Sequence, residues 1–462
     1  MTRNSSPSKH QLLPFSHIQH DWYLSPLLLS SSSHLLKQQG HLLIDQDKSH
    51  INRDTFWVQP IQETDEWRYE IRNENNDLRI LRKFSDSDIK PQKEQWNMKY
   101  DKAKRTLNVF DAETNALEQQ FTHERRIIEN VHGVQRKPIL SVDISPQGEL
   151  GVSSSTEGSL RVWNTKTGHA MRDMSWDSDK TSGHVGDVYV SRFLPSGQVV
   201  MSAGADTRIL IWRISDALCA AQLKGHNGGV TSLSFIDRGR NFISSSRDGT
   251  VRLWDCATQS SIAELFRAQP QLSAPIPVNA CVVQKNSSLS LGNVDAQSPK
   301  DFGTELHVGA CAVDDGRAIV YDVRHRKIIF SLQHETSLKS CAFMDNILTV
   351  GQKNGKLVSY DVRKLSSTEQ GLTRGKDDAK LASFTGSSSP VIRLAQGWKN
   401  SSKLVWFSCQ DGSVRLWNAE HGAVVRSLSG FDYDAVYDIA IHDSEIYCGG
   451  RDGKIRQYVI DE

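Results

Sequence analysis

The chain has 462 residues, 38% of them hydrophobic, which is enough for a sizeable core. Its 55 Lys and Arg stand against 54 Asp and Glu, and a net charge of +1 excludes a chain-wide field for nucleic acid or an anionic membrane surface. No apolar run approaches the ~20 residues of a bilayer span, and Leu27 to Leu29 is too short for the core of a secretion signal.

Residues 1–105 follow no repeat. Ser30 to Ser33 and the polar start read as a loose entry, whereas Phe56-Trp57-Val58, Trp67 to Ile71 and Leu78 to Leu81 read as short strands. Four tryptophans (22, 57, 67 and 96) are too many for a disordered tail, so the expectation is a small, mostly β accessory domain. His17 and His20 form an isolated pair without a further ligand set, and solvated or packed imidazoles are the simpler reading. Asn4 and Asn400 fit the glycosylation pattern but carry no weight without a secretion signal.

From residue 106 a unit recurs. Ser153 to Asn164, Ser202 to Trp212 and Ser244 to Asp255 share a serine-rich run, a turn and an apolar strand ending in Trp. Weaker copies end at Tyr321, Tyr360, Trp417 and Tyr458. The seven closing aromatics are spaced by 49, 42, 67, 39, 57 and 41 residues. Insertions are therefore expected near 266–306 and 365–390, the second a mobile excursion. Each unit divides into four short alternating runs. Asp-Gly pairs at 248, 315, 411 and 452 supply the positive φ of tight hairpin turns. Seven four-stranded units predict an all-β protein, a seven-bladed propeller over 106–462. The last unit lacks its outer strand, and Ala116 to Phe121 is expected to supply it and close the ring.

The chemistry of catalysis is missing. Gly371, Gly375, Lys376 and Asp377 imitate a phosphate loop, but the motif is one residue short and has Asp where Ser or Thr would bind magnesium. Seven cysteines (219, 256, 281, 311, 341, 409 and 448) contain no CxxC. They read as small buried hydrophobes in a reducing compartment rather than disulfides, zinc ligands or nucleophiles. Arg125-Arg126 and Arg136-Lys137 read as solvated basic faces. No cofactor or metal is expected, and a large closed scaffold without a reactive constellation is most simply a binding module.

The units resemble the WD-repeat family. Its distinctive Gly-His stands at Gly183-His184 and Gly225-His226. The resemblance implies a seven-bladed WD40 β-propeller in which His, Ser, Asp and Trp form one hydrogen-bond chain. The matching sets here are His184, Ser202, Asp206, Trp212 and His226, Ser244, Asp248, Trp254. These sets could be mistaken for catalytic triads, but a triad has no reason to repeat at blade spacing. The runs Val142 to Gly158, Phe193 to Val200, Ile236 to Cys256 and Asp434 to Gly453 are similar to a narrower group, WD-repeat assembly chaperones of the proteasome regulatory particle. That resemblance implies a non-catalytic cytoplasmic and nuclear protein, monomeric on its own. It would bind the C-terminal domain of a proteasomal AAA-ATPase subunit and meet other base assembly factors, with no nucleic-acid or membrane partner. On the loop-bearing rim, Asp187, Glu335, Asp432 and Asp434 are candidates to meet a basic partner. The alternative is a substrate adaptor or scaffold of another complex such as a ubiquitin ligase, which an arginine-lined phosphate pocket at the centre would favour.

Overall fold

A computed structural model describes strands at Leu42–Ile44, Phe56–Glu63, Glu66–Arg72, Leu78–Leu81 and Trp96–Asp101. It then describes residues 104–111, 117–133, 137–175, 183–268, 274–291, 300–367, 373–385, 389–397, 403–431 and 434–460. His17, His20, Asn4, Asn400, Gly371, Arg136 and Asp432 lie outside the described residues.

The first four strands make an antiparallel meander of their own. Seven further sheets are the blades of a propeller. Blades 1 to 6 span residues 139–173, 190–223, 230–267, 278–333, 338–384 and 391–428, each with four strands in sequence order. Blade 7 takes three strands from 436–459, and Arg126–Ile128 pairs antiparallel with Ile455–Val459 as its fourth. Its inner strand packs on that of blade 1, so the ring is closed by one strand from before the repeats and three from the end.

The closing strand is not the one expected from sequence. Leu117–Thr122 instead runs parallel to Val424–Leu428, the outer strand of blade 6, with Ser427 opposite Phe121 and Leu428 opposite Thr122. Thr106–Asp111 and Trp96–Asp101 continue this sheet to seven strands. The true closing strand has only three residues and begins on the second of two adjacent arginines, so in sequence it reads as a basic surface cluster. In the fold, Arg125 N–H donates to Gln457 O at 2.7 Å, and Arg126 donates to the carbonyls of Thr165, Lys166 and Thr167 in blade 1. Phe121 and Ile128 are both buried, so neighbouring segments anchor successive blades.

The two long units also resolve. The first insertion falls on both sides of the inner strand Val278–Lys285. Just before the second, Val362–Lys364 forms a 3-10 turn; within it, Ser366–Ser367 pairs with Thr373–Arg374, and Lys376–Ala379 makes one helical turn. Leu365 and Ala379 are buried against the core and anchor this insertion, while Asp377, Asp378 and Lys380 stay exposed on the surface. Gly375 adopts φ 78°, and Lys376 Nζ donates to Gln333 O, which ends the likeness to a phosphate loop.

Apolar side chains from facing blade surfaces fill the wedges. Trp163, Trp212, Trp254, Trp417, Tyr321, Tyr360 and Tyr458 are all buried. In blades 1 and 4 the residue opposite the aromatic is Gly151 or Gly309, and a Cβ there would clash with the Trp163 or Tyr321 ring. Only glycine permits that approach. Five cysteines are buried and two half-buried, none of them joined in a disulfide; burial pushes Cys281 up to about 11 and Cys256 to about 12.

Each inner strand has one edge without a strand partner, which must be satisfied another way. Among the described residues, side chains of the preceding blade do this for five N–H groups. Asp438 accepts from Val142 N (3.1 Å), Ser141 from Ser191 N (3.1 Å), Asp143 from Phe193 N (2.8 Å), Ser234 from Val283 N (3.1 Å) and Ser340 from Leu394 N (2.9 Å). These bonds set the register between blades as strand ladders set it within them.

Candidate partner-binding face

The two Gly-His units form complete polar chains. In blade 2, Trp212 Nε1–H donates to Ser202 Oγ (2.7 Å), and Ser202 Oγ lies 2.7 Å from His184 Nε2. Because the hydroxyl accepts from the indole, its own proton points to Nε2. This leaves the imidazole proton on Nδ1, 3.0 Å from both Asp206 oxygens. Blade 3 repeats the chain through Trp254, Ser244, His226 and Asp248 at 2.7, 2.7 and 2.9 Å. Burial pushes both carboxyls up, but the imidazole, backbone N–H and other side-chain donors outweigh it and hold them far below the usual range. Asp248 also accepts from Asn227 N and from Thr250 N and Oγ1, so both oxygens are used. These groups are bound to one another inside the blade and set its loops.

Partial versions occur where the motif is scrambled. His132 precedes Gly133 rather than following a glycine, and its ring reaches Ser153 (2.9 Å) and Ser159 (2.6 Å) while Trp163 Nε1 has no partner among the described residues. The useful signal was the serine ten residues before the aromatic: Ser153, Ser202 and Ser244. Blade 5 has Val350 there, and its His334 only packs edge-on against Tyr360 at 5.7 Å. His123, between blades 6 and 7, bonds Ser429 Oγ at 2.7 Å.

These chains orient the loops of one face. On it, the residue before each turn donates its backbone N–H to the start of a neighbouring inner strand: Arg247 to Gly229, Asp314 to Pro277, Lys353 to Ser337, Gln410 to Pro390 and Arg451 to Ala435. Two residues beyond each acceptor, the inner strand bulges, between Val230 and Ser232, Val278 and Ala280, Leu338 and Ser340, Val391 and Arg393, and Val436 and Asp438. Blade 1 bulges likewise between Ile139 and Ser141, and Tyr189 holds the matching place in blade 2. Bulges re-aim side chains. The ring at the channel mouth is therefore Leu140, Tyr189, Thr231, Asn279, Lys339, Ile392 and Tyr437, all half-buried. It divides into an apolar crescent on blades 6, 7, 1 and 2 and a polar arc on blades 3 to 5.

The candidate acids are spread around this face. Asp187 is half-buried in the loop entering blade 2, where it accepts from Glu157 N at 3.3 Å. Glu335 is exposed in the loop entering blade 5. Asp434, entering blade 7, is paired with Arg451 at 3.0 Å. Arg247 lies over the Tyr189 ring at 4.7 Å, and Lys339 pairs with Asp314 at 2.7 Å. The three described acids thus stand on separate blades with cations between them.

Below the mouth lies a charged cluster that sequence reading missed, because its members sit one per blade and far apart in the chain. Asp438 of blade 7 takes two bonds from Arg192 of blade 2 (2.9 and 3.2 Å) and one from Ser141 Oγ of blade 1 (2.8 Å). Arg393 of blade 6 brings Nε to 3.0 Å from the same carboxylate, without hydrogen-bond alignment. Asp143, deeper in blade 1, is pushed up to about 6 by enclosure, despite Arg192 nearby. Among the described residues no group of three or more His, Cys, Asp or Glu could hold a metal ion, and no helix is long and apolar enough to cross a membrane.

The WD domain, G-beta repeat model matches residues 128–164, 177–213, 217–255 and 379–418. The probable proteasomal ATPase-associated factor 1 of Dictyostelium discoideum is 28% identical over 99% of both chains. Human proteasomal ATPase-associated factor 1 is 32% identical over 71% of this chain and 77% of its own. The ribosome biogenesis protein YTM1 of Podospora anserina is 24% identical over 60% of this chain and 58% of its own. Among solved structures, the RRP9 WD40 repeats superpose with TM-score 0.56 at 14% identity, covering 73% of this chain and 97% of that one. On the repeats, the seven blades and these likenesses, the chain belongs to the WD-repeat family of β-propellers.

Proposed function

We propose that the chain is a non-catalytic assembly chaperone of the proteasome regulatory particle, holding the C-terminal domain of a proteasomal AAA-ATPase subunit on the loop-bearing face. The observation that carries this reading is the likeness to the probable proteasomal ATPase-associated factor 1 of Dictyostelium discoideum along 99% of both chains, including the region before the repeats. The geometry supports it: the polar chains are internal and a broad face is left for contact. A subunit held there is withheld from any mutually exclusive interface, and release follows when a stronger one forms. Asp187, Glu335, Asp432 and Asp434 act in approach and register against a basic partner, with Asp434 exchanging Arg451 for the partner's cation.

Affinity capture of the full chain from cytoplasmic and nuclear extract, read by mass spectrometry, tests the reading. Free ATPase subunits and base-assembly intermediates are expected. Recovery of cullin components without ATPase subunits would transfer the chain to the adaptor class. The central arginines favour that alternative only weakly, because Asp438 already occupies Arg192.

A further inference from the structure

The ionic cluster below the channel mouth is unevenly satisfied. Arg192 is well supplied with acceptors: besides Asp438, its Nη1 lies within hydrogen-bond distance of Ser141 Oγ (2.8 Å), Val142 O (3.2 Å) and Ser191 O (2.8 Å), which share its two N–H bonds. The Arg393 guanidinium is held only by its ion pair with Asp438, and its buried Nε has no aligned acceptor among the described residues. Its side chain is 24% exposed, against 3% for Asp438, so it is the part of the cluster that a ligand in the channel can reach. Immediately before it in sequence is Ile392, one end of the apolar crescent that runs through Tyr437 and Leu140 to Tyr189. An under-coordinated guanidinium enclosed by protein is costly to leave without an acceptor. The crescent supplies apolar surface next to it.

We propose that this mouth binds a peptide carboxylate of the captured partner, with the oxyanion on Arg393 and an adjoining apolar side chain against Ile392, Tyr437, Leu140 and Tyr189. The proposal rests on the capture reading above and names the chemistry at the centre of that face. Charge bookkeeping selects a carboxylate over a phosphate. Arg192 and Arg393 carry two positive charges and Asp438 one negative charge. Asp143 adds a second negative charge, which it gives up as the pH falls through about 6. The groups facing Asp143 are Arg192 and Phe193 N of blade 2 and Asp438 of blade 7, so one proton on Asp143 balances one incoming carboxylate. A dianionic phosphate would leave surplus negative charge in the enclosure. Carboxylate binding therefore tightens as the pH falls through about 6.

The test uses the full chain with isotope-labelled arginine, following the Arg393 Nε–Hε resonance, identified by its disappearance in Arg393→Lys. The probes are acetyl-Leu-Glu-Leu-amide and its Gln and phosphoserine counterparts. We expect a saturable shift with the Glu probe, binding weaker by at least about tenfold with Gln, and loss of binding in Arg393→Lys. Ile392→Ser, with its thermal unfolding unchanged, should also weaken the Glu probe. No shift with the Glu probe, equal affinity for Gln, or tighter binding of phosphoserine overturns the proposal. If the wild-type chain captures no ATPase subunit, the functional reading falls while the peptide titration still decides the channel. If capture is intact and the Glu probe does not bind, the channel proposal alone falls.

Discussion

Arg192 of blade 2 and Asp438 of blade 7 are joined by two hydrogen bonds that reach past blade 1, with Ser141 of that blade bonded to the same carboxylate. The pair therefore spans the seam where the two ends of the repeat array meet. Asp438 is buried, so removing it leaves two arginines facing each other in an enclosed space. Asp438→Ala should cost about 3–5 kcal/mol in denaturant unfolding. A loss below about 1 kcal/mol, the range of an exposed ion pair, would show that the seam does not depend on this contact.

The polar chains in blades 2 and 3 share no residue, so each can be removed separately. Ser202→Ala leaves the Trp212 indole and His184 Nε2 without their common partner and should cost about 1–3 kcal/mol, as should Ser244→Ala. The double variant should lose the sum. Ser153→Ala should cost less, because Trp163 Nε1 does not use that hydroxyl. Equilibrium unfolding of the four variants checks this ordering.

Closure depends on a strand of three residues. Ile128→Asp places a carboxylate among Val131, Ile139, Val142 and Ile455 and should destabilise by more than about 3 kcal/mol. Ile127→Asp on the same strand points to a partly exposed side and should be mild. Equal effects in urea titrations would contradict Arg126–Ile128 as the closing element.

Acid should weaken the fold before carboxylate protonation does. Burial is the main cause that pushes His123 and His334 down to about 4 and His132 to about 3. In the unfolded chain these histidines take up protons near the ordinary value of about 6.5. The unfolded state thus binds more protons between about 6.5 and 4, and stability falls as the pH drops through that window. Asp143 and Glu124 work the other way, because burial raises their folded values, Asp143 to about 6, but they are two groups against these three histidines and His307, which burial also holds low. Replacing His132 by Asn should flatten the slope of unfolding free energy against pH; an unchanged slope would exclude its burial as a source.

The architecture was legible where the physics is local. Alternating apolar runs, Asp-Gly turns and a repeated aromatic mark four strands per blade, and Gly-His with Ser and Asp marks the two complete polar chains. The closing strand was not legible, because Arg126–Ile128 is stabilised by pairing with residues more than three hundred positions away. Leu117–Thr122 has the better strand pattern and pairs elsewhere. The channel cluster was hidden for a related reason. Ser141, Arg192, Arg393 and Asp438 each look like an ordinary polar residue in a strand, and only ring closure brings them together.

The central claim is that the loop-bearing face captures an ATPase subunit. It is tested most directly by quantifying the ATPase subunit recovered on the full-length chain carrying Tyr437→Arg at the mouth, beside Ile328→Arg on the outer strand of blade 4, an exposed rim position. The account predicts recovery lowered by at least about tenfold for the first, a loss of about 1.4 kcal/mol in affinity, and unchanged recovery for the second. Undiminished capture by Tyr437→Arg, or a loss confined to Ile328→Arg, would contradict it.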